Sequence, residues 1–349
     1  MTDSIAKTPG GNTSSLGHDS GWFDAHLDLA CLALLGRNMH APLRTCGGPW
    51  QPAAVTLPSL REGNVRQVLA TIFTEAGGTD AGVGYVAGNA EQAHAAGIAQ
   101  LSVYDAWVRE GAWARASKHN ASQDALRFRI LMECADPIRE PGELAWWVER
   151  GVAAIGLAWA RGSRYAGGNS TGGPLTASGR ELVREMDRLG VVHDVSHLSD
   201  EALEQLLACT DRLVIASHSN CRSLIDKPGD TPRQRHLTDA SIREIARRDG
   251  VIGLNLFSMF LVPGGVDGAR ASIEQTLAHV EHICMLAGST KHVGLGSDMD
   301  GGLRGDQLPL GVNKPADLRL LSDGLRARGW AENEVRGLMR GNWERMFGA

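Results

Sequence analysis

The stretch SGRELVREMDRLGVVHDVSHLSDEALEQLLACTDRLVIASH, residues 178–218, repeats one pattern twice, an amphipathic helix next to a buried strand. Residues 178–189 carry apolar side chains at helical spacing, and Gly190 stands where helices commonly end in a left-handed residue. Residues 191–197 and 213–218 are β-branched and nearly continuous in apolar character, which is typical of strands covered on both faces. The alternation predicts neighbouring parallel strands joined by helices.

The same alternation extends over the rest of the chain. Six further apolar runs of strand length occur at residues 22–30, 65–74, 126–134, 152–159, 251–257 and 293–298. Eight strands alternating with helices predict a single (β/α)8 (TIM) barrel. We expect residues 21–349 to form this one domain, because no linker divides them, and the Gly/Ser/Thr-rich residues 1–20 to be a flexible lead-in. The Gly/Pro-rich segments 167–174 and 263–268 are predicted to be loops.

Composition excludes several classes of protein. The 349 residues include 40 acidic and 35 basic side chains without a basic cluster, so neither nucleic acid nor a membrane surface is an expected partner. The six cysteines form no C-x-x-C pair and are too sparse for a disulfide scaffold. The chain shows no secretory signal pattern and no apolar run of ~18 residues. A cytoplasmic enzyme without a membrane span is therefore the expectation.

Metal-binding types of side chain recur where the predicted strands end. His26 and Asp28 close the first run, Glu133 the third, and His197, His218 and Asp298 the fifth, sixth and eighth. In a parallel barrel all strand carboxyl ends open on one face. Uncompensated imidazoles and carboxylates buried there would cost several kcal/mol, so the convergence predicts a metal site. Imidazole and carboxylate ligands without thiolates favour Zn²⁺, with Mn²⁺ and Fe²⁺ as alternatives.

Two ions would need a shared ligand to lie ~3.5–4 Å apart. A carboxylated lysine can fill this role, but none of the five lysines ends a predicted core strand. Glu133 is therefore the better candidate for the bridge. Two bridged ions lower the pKa of a shared water, and a neighbouring aspartate outside the ligand set can shuttle the proton.

Ordered sequence blocks resemble the membrane (renal-type) dipeptidases, peptidase family M19, over nearly the whole chain. They include DAHLD (24–28), ME (132–133), DVSHLS (194–199), SHS (217–219) and HVGLGSDMDG (292–301). The resemblance implies a TIM barrel of the metal-dependent hydrolase type that holds two divalent ions, most often zinc, and acts on a small peptide-like substrate. It also implies a homodimer as the assembly to expect, since members of the family are often dimers.

The resemblance assigns roles to particular residues. His26 and Asp28 would bind one ion, His197 and His218 the other, and Glu133 both. Asp298 would activate the bridging water as hydroxide and then protonate the leaving amine.

An arginine of the family binds the substrate's terminal carboxylate. The block RHLTD (235–239) resembles the segment that contains it and points to Arg235. A bidentate guanidinium–carboxylate pair suits that task. Arg222 and Arg233 are competing candidates, and an ordinary surface arginine is the alternative reading of Arg235.

One position departs from the family pattern. The fourth strand ends in Trp159, where dipeptidases of this family have a histidine that stabilises the tetrahedral oxyanion. An indole offers one N–H and no positive charge, and loss of an oxyanion donor can cost ~10²–10³ in rate. Either Arg161 or Arg164 supplies the donor, or the substrate differs. Cys134 also replaces a family glycine after Glu133, as a bystander or as a residue that shapes the pocket.

Three functions are consistent with the sequence. The leading hypothesis is a binuclear metal-dependent hydrolase that cleaves dipeptides through a metal-bridging hydroxide. The second is a hydrolase of another amide, such as an N-acyl amino acid, a lactam or a biosynthetic intermediate, with Trp159 facing that substrate. The third is a metal-stabilised barrel without catalysis, which the retention of every ligand and of Asp298 disfavours.

Overall fold

The structure, a computed structural model, describes residues 21–115, 126–227, 229 and 233–348. The predicted lead-in, residues 1–20, lies outside these ranges. The strands are β1 (Trp22–Leu27), β2 (Val65–Ile72), β3 (Glu75–Ala76), β4 (Gly84–Tyr85), β5 (Trp113–Arg115), β6 (Leu126–Met132), β7 (Val152–Gly156), β8 (Ala166–Gly168), β9 (Gly172–Leu175), β10 (Val192–Asp194), β11 (Val214–Ile215), β12 (Ile252–Leu254) and β13 (Val293–Leu295).

The helices alternate with the main strands. They are α1 (Leu29–Leu34), α2 (Leu57–Glu62), α3 (Ala90–Arg109), α4 (Leu144–Glu149), α5 (Ala177–Leu189), α6 (Asp200–Cys209), α7 (Arg222–Ile225), α8 (Asp239–Arg247), α9 (Ile273–Ala287), α10 (Arg319–Ala327), α11 (Glu332–Arg336) and α12 (Asn342–Phe347). A π-helical turn, Gly337–Gly341, joins the last two. None of the helices in the described ranges has the length and apolar character that a membrane crossing requires.

Eight parallel strands form the barrel in the order β11-β10-β7-β6-β2-β1-β13-β12. A parallel bridge between Ala216 and Ile252 joins the two ends of this order, and the Gly253 amide donates to the Ala216 carbonyl at 2.7 Å. The (β/α)8 prediction is therefore confirmed. All eight strands lie within the eight apolar runs, because strands covered by helices on one face and by the barrel interior on the other must be apolar throughout.

Local signals in the sequence set the helix ends. Ser199 accepts a hydrogen bond from the Ala202 amide at 3.0 Å and begins α6. Thr238 does the same for the Ser241 amide at 3.0 Å and begins α8. Gly190 ends α5 in the left-handed region with φ 71°. Such caps satisfy amides and carbonyls that have no partner within the helix.

One loop prediction was wrong. Residues 167–174 contain parts of β8 and β9, which pair as an antiparallel hairpin. The strands have only three and four residues and are rich in glycine, so they lack the alternation that identifies a strand in a sequence. The strands β3, β4 and β5 were not predicted either, because strands of two or three residues are too short to show an alternation. Residues 263–268, the other predicted loop, contain neither helix nor strand.

A small inner cluster closes the barrel at the amino end of its strands. It joins residues of five barrel strands, among them Phe23 and Leu131, to Trp343 and Phe347 of α12. The Trp343 indole donates to the Leu295 carbonyl at 2.9 Å. With one end filled by apolar side chains, the opposite end is left for the polar residues at the strand carboxyl ends.

Candidate metal centre

The polar residues predicted at the strand ends come together at the open end of the barrel. His26 lies in β1 and Asp28 follows it, Glu133 follows β6, and three others stand three residues beyond β10, β11 and β13. They are His197, His218 and Asp298. Five of the six are buried and His197 is at the margin of burial; all except His26 line a cavity of about 460 Å³ that Trp159 and Arg235 also line.

Two of these turns place a side chain through an unusual backbone conformation. His197 and Asp298 adopt φ angles of 66° and 59°, in the left-handed region that non-glycine residues seldom occupy. Such strain costs of order 1–3 kcal/mol and persists where the surroundings over-determine it, commonly at functional sites. Here it turns both side chains into the same buried cluster.

The two carboxylate oxygens of Glu133 face different sets of ligands. Oε2 lies 3.5 Å from Nε2 of His26, whose Nε2 is also 3.8 Å from Oδ1 of Asp28. Oε1 lies 3.2 Å from Nε2 of His197 and 3.6 Å from Nε2 of His218. Two three-residue groups that could each hold a cation therefore share Glu133.

Hydrogen bonding indicates that these nitrogens present lone pairs. Nδ1 of His197 faces the Asn169 carbonyl oxygen Oδ1 at 3.0 Å, so that Nδ1 donates and Nε2 is left unprotonated. Nε2 of His197 and Nε2 of His218 nevertheless lie only 3.0 Å apart. Within the described residues, His26 Nε2 and Glu133 Oε2 are buried without a hydrogen-bond partner. Converging lone pairs of this kind fit divalent metal ions, whose histidine ligands typically donate through the other ring nitrogen.

Burial disfavours the charged forms of the carboxyl and imidazole groups in this cluster. It raises the pKa of Glu133 to about 8 and that of Asp298 to about 7. It also raises the pKa of Asp28 to about 6, with a further contribution from the Glu133 charge. The pKa values of His197 and His218 are held well below 6.5, again mainly by burial. A bound cation would offset the burial of the anionic carboxylates.

Sequence reasoning missed the residue that holds Asp298. The Asn255 amide nitrogen donates to Asp298 Oδ2 at 2.9 Å, and both side chains are buried. Asn255 follows β12 and interrupts the apolar run VIGLNLF. A polar residue inside an apolar run is the signal that the sequence offers for Asn255, although Asn255 is not the last residue of its run.

Arg235 lines the cavity, and its guanidinium forms no ion pair with any of the described carboxylates. Its Nη1 donates to Ser219 at 3.1 Å and its Nη2 to the His218 carbonyl at 2.8 Å. Across the described ranges, no carboxylate comes within 4.0 Å of Arg235, and its buried Nε has no hydrogen-bond acceptor. The competing arginines are engaged elsewhere, Arg222 with Asp200 at 2.6 Å and Arg233 with Asp226 at 2.9 Å.

Trp159 belongs to an aromatic wall of the cavity. Its ring meets that of Phe73 edge-on with centroids 5.2 Å apart, and it lies 6.0 Å from the His197 ring. Neither arginine considered as a replacement donor is among the described residues that line the cavity. Arg161 is exposed and pairs with Glu75 at 3.5 Å. Arg164 donates to the carbonyls of Asp136 and Ile138.

Cys134 does not line the cavity either. It is buried, and its Sγ lies 3.9 Å from the Tyr85 hydroxyl. Burial raises the pKa of its thiol to about 12, which keeps it protonated at neutral pH. The thiol therefore acts here as a packing group.

A known protein family matches nearly the whole chain. The family model described as "Membrane dipeptidase (Peptidase family M19)" matches residues 12–349. The chain belongs to the membrane dipeptidase family. Among curated members of related sequence, an uncharacterized dipeptidase of Schizosaccharomyces pombe is 34% identical over 50% of this chain and 41% of its own. Dipeptidase 3 of Mus musculus is 32% identical over 50% of this chain and 32% of its own. The chain thus spans less than half the length of these two relatives.

Solved structures of the same family cover nearly all of the chain. A metallopeptidase called dipeptidase AC is 26% identical, with a TM-score of 0.79 over 95% of this chain and 100% of that chain. A metallopeptidase of Rhodobacter sphaeroides is 25% identical, with a TM-score of 0.79 over 93% of this chain and 98% of that chain. That second protein was crystallised with a phosphinate mimic of the dipeptide L-Ala-D-Ala.

Proposed function

We propose that this membrane dipeptidase family member is a metal-dependent hydrolase of dipeptides. The observation that carries the proposal is the position of Glu133 between two sets of histidines. Its Oε2 faces His26, and its Oε1 faces His197 and His218. One divalent ion would be held by His26, Asp28 and Glu133. A second would be held by Glu133, His197 and His218. Zinc is the favoured ion, because the ligands are imidazoles and carboxylates in small sets that leave positions open.

Bound ions in such a pair lower the pKa of a shared water and polarise the scissile carbonyl. Asp298 then has the task of moving a proton. It lies within the same group of ligand atoms as His26 and His218, and Asn255 holds its Oδ2. From there the Asp298 carboxylate can accept a proton from the attacking water and return it to the leaving amine, as general acid–base catalysis requires.

Arg235 supplies recognition of the substrate. A buried guanidinium without a carboxylate partner is unfavourable unless an anion joins it, and a dipeptide's terminal carboxylate provides that anion. The cavity of about 460 Å³ has the size of a small-molecule site. These features favour a short substrate with a free carboxylate.

Trp159 supports a second candidate, the hydrolysis of N-acyl amino acids. These compounds share the terminal carboxylate and differ from dipeptides in having no free α-amine. The edge-on pair of Trp159 and Phe73 offers an apolar wall for an acyl group. A barrel without catalysis is disfavoured, because it would have no use for a buried Asp298 and an unpaired Arg235.

The test is hydrolysis by metal-loaded protein of matched dipeptides and N-acetyl or N-lauroyl amino acids, with metal content measured on the same samples. We expect two ions per chain, turnover of dipeptides and its loss on chelation. Glu133→Gln should bind fewer than two ions and lose activity by at least ~10³-fold. Glu75→Gln, which alters another cavity-lining carboxylate, should keep both ions. Turnover of N-acyl amino acids alone would favour the second candidate, and normal metal pairing in Glu133→Gln would refute the bridge.

A further inference from the structure

Ser217 touches one imidazole from each half of the metal centre. Its Oγ lies 3.1 Å from Nδ1 of His26 and 2.8 Å from Nδ1 of His218. The two rings stack with their centroids 3.5 Å apart, although His26 belongs to β1 and His218 follows β11. Ser217 itself is fully buried. A single hydroxyl group therefore contacts ligands that the proposed function assigns to different ions.

The hydrogen-bond capacity of this hydroxyl determines both tautomers. Ser217 Oγ donates its one hydrogen to Oδ2 of Asp194 at 2.6 Å. A hydroxyl has one hydrogen and two lone pairs, so toward both imidazoles Ser217 can only accept. Nδ1 then carries the proton in His26 and in His218, and each Nε2 is left as a lone pair. The remaining contact of this oxygen, to Ser196 Oγ, is longer at 3.4 Å.

Asp194 is itself held as an acceptor. Its Oδ1 accepts from the Ser196 amide at 3.0 Å and from the Ser217 amide at 2.8 Å. The Ser217 carbonyl packs directly against Gly253 and Gly296, because a Cβ at either glycine would lie 1.8 Å from its oxygen. The hydroxyl is thereby presented to both rings in a set position.

The barrel contains a second aspartate–serine pair with the same bonds and no imidazole contact. Asp24 accepts hydrogen bonds from the backbone amide and the hydroxyl of Ser297. Its Oδ1 also accepts from the backbone amide of His26, two residues after Asp24. Within the described residues, no imidazole nitrogen lies within hydrogen-bond distance of Ser297 Oγ. Ser297 is therefore a matched control for Ser217.

We propose that Ser217, oriented by Asp194, is a positioning residue shared by the two metal subsites, which holds His26 and His218 in the tautomer that both ions require. The proposal rests on the proposed function only for the assignment of these histidines to two ions. It goes beyond that function in making one side chain common to both subsites, so that its loss weakens both together.

The first test is metal retention by zinc-loaded protein as the concentration of a chelator is raised. Partners of metal-bound histidines typically contribute 10–100-fold in affinity. We expect Ser217→Ala to lose both ions at chelator concentrations about 10–100-fold lower than wild type does. Ser297→Ala, which loses the same kind of bond to an aspartate, should stay within about threefold of wild type. Wild-type retention of both ions by Ser217→Ala would overturn the proposal.

Asp194→Asn provides a second variant of nearly unchanged shape. Its amide would donate to Ser217 Oγ and occupy one lone pair, which leaves the hydroxyl able to accept from only one imidazole. We expect one ion to become weakly held and the other to remain. In ¹⁵N-histidine spectra of the zinc-loaded protein, one imidazole should change its protonated nitrogen. Unchanged imidazole shifts together with normal retention of two ions would contradict the proposal.

These readouts separate the proposal from the proposed function. A protein that holds two ions, loses them in Ser217→Ala and hydrolyses no dipeptide would retain the proposal and refute the function. Thermal unfolding of each variant identifies any that fails to fold. If Ser217→Ala does so, Asp194→Asn decides the question.

Discussion

The side-chain amide of Asn255 donates a hydrogen bond to Oδ2 of Asp298 at 2.9 Å, between two buried side chains. Asn255 is fixed in turn, because its Oδ1 accepts from the Phe257 backbone amide at 2.8 Å and its backbone amide donates to Oδ1 of Asn220 at 3.2 Å. The orientation of Asp298 therefore depends on the loop after β12 as well as on its own turn after β13.

Asn255→Ala should impair turnover more than substrate binding. A hydrogen bond to a charged group contributes about 1.5–3 kcal/mol, so we expect kcat to fall by about 10–100-fold while KM changes less than about twofold. Asn220→Ala, which removes a bond that fixes Asn255 but does not contact Asp298, should lower kcat by a smaller factor. Steady-state kinetics on a dipeptide and thermal unfolding check both variants. An unaltered kcat in Asn255→Ala would show that Asn255 does not position Asp298.

Arg235→Lys should discriminate between substrates with and without a terminal carboxylate. Lysine keeps the charge but cannot form the bidentate pair, so kcat/KM for a free dipeptide should fall by about 10–100-fold. The corresponding dipeptide amide should be hydrolysed about equally by both proteins. Arg222→Lys, which alters an arginine paired with Asp200, should behave as wild type. Equal losses on the free and amidated dipeptides would contradict the assignment of Arg235.

Trp159→His should favour dipeptides over N-acyl amino acids. A histidine at position 159, three residues beyond β7, adds a donor that can be charged, and one oxyanion donor is worth about 10²–10³ in rate. We expect kcat on dipeptides to rise by at least about tenfold and activity on long-chain N-acyl amino acids to fall. Trp159→Phe, which changes the aromatic wall without adding a donor, serves as the control. If both variants affect dipeptide turnover equally, position 159 does not supply oxyanion stabilisation.

Removal of the metal ions should lower stability. Without cations, Nε2 of His26 and Oε2 of Glu133 stay buried with no hydrogen-bond partner among the described residues. A ligand at 100 times its Kd stabilises a protein by about 2.7 kcal/mol, so chelation should lower Tm by several degrees. Added Zn²⁺ should restore it, and Glu133→Gln should respond less. A Tm independent of chelator would argue against bound ions.

Acid should destabilise the protein partly through His279. This residue is buried, its Nδ1 accepts from the Cys221 amide at 3.1 Å, and burial lowers its pKa to about 4. Because the unfolded chain binds the proton more readily, stability is retained above about pH 6.5 and falls as pH decreases toward 4.

This single group should lower the free energy of unfolding by about 2 kcal/mol between pH 7 and pH 5. His279→Gln removes the titration, so its unfolding free energy should fall by that much less over the same interval. Urea unfolding at the two pH values measures the difference. Parallel losses in the two proteins would exclude His279 as a contributor.

The sequence by itself determined the barrel and the types of residue at its open end. Apolar runs, helix caps such as Ser199 and Thr238, and the residues at strand ends are local features. In a parallel barrel all strands run in the same direction, so their carboxyl ends lie on one face. The glycine-rich hairpin of β8 and β9 escaped prediction, because its strands are too short to show a periodicity.

Only the tertiary structure decided which side chains serve the residues at those strand ends. Ser217 reaches His26 across 191 positions of sequence, and Asn255 reaches Asp298 across 43. The same holds for Arg235, which is buried at the cavity without an ion pair, whereas Arg222 pairs with Asp200. Hydrogen bonds and ion pairs act over a few ångströms, and separation along the chain does not reveal which groups come that close.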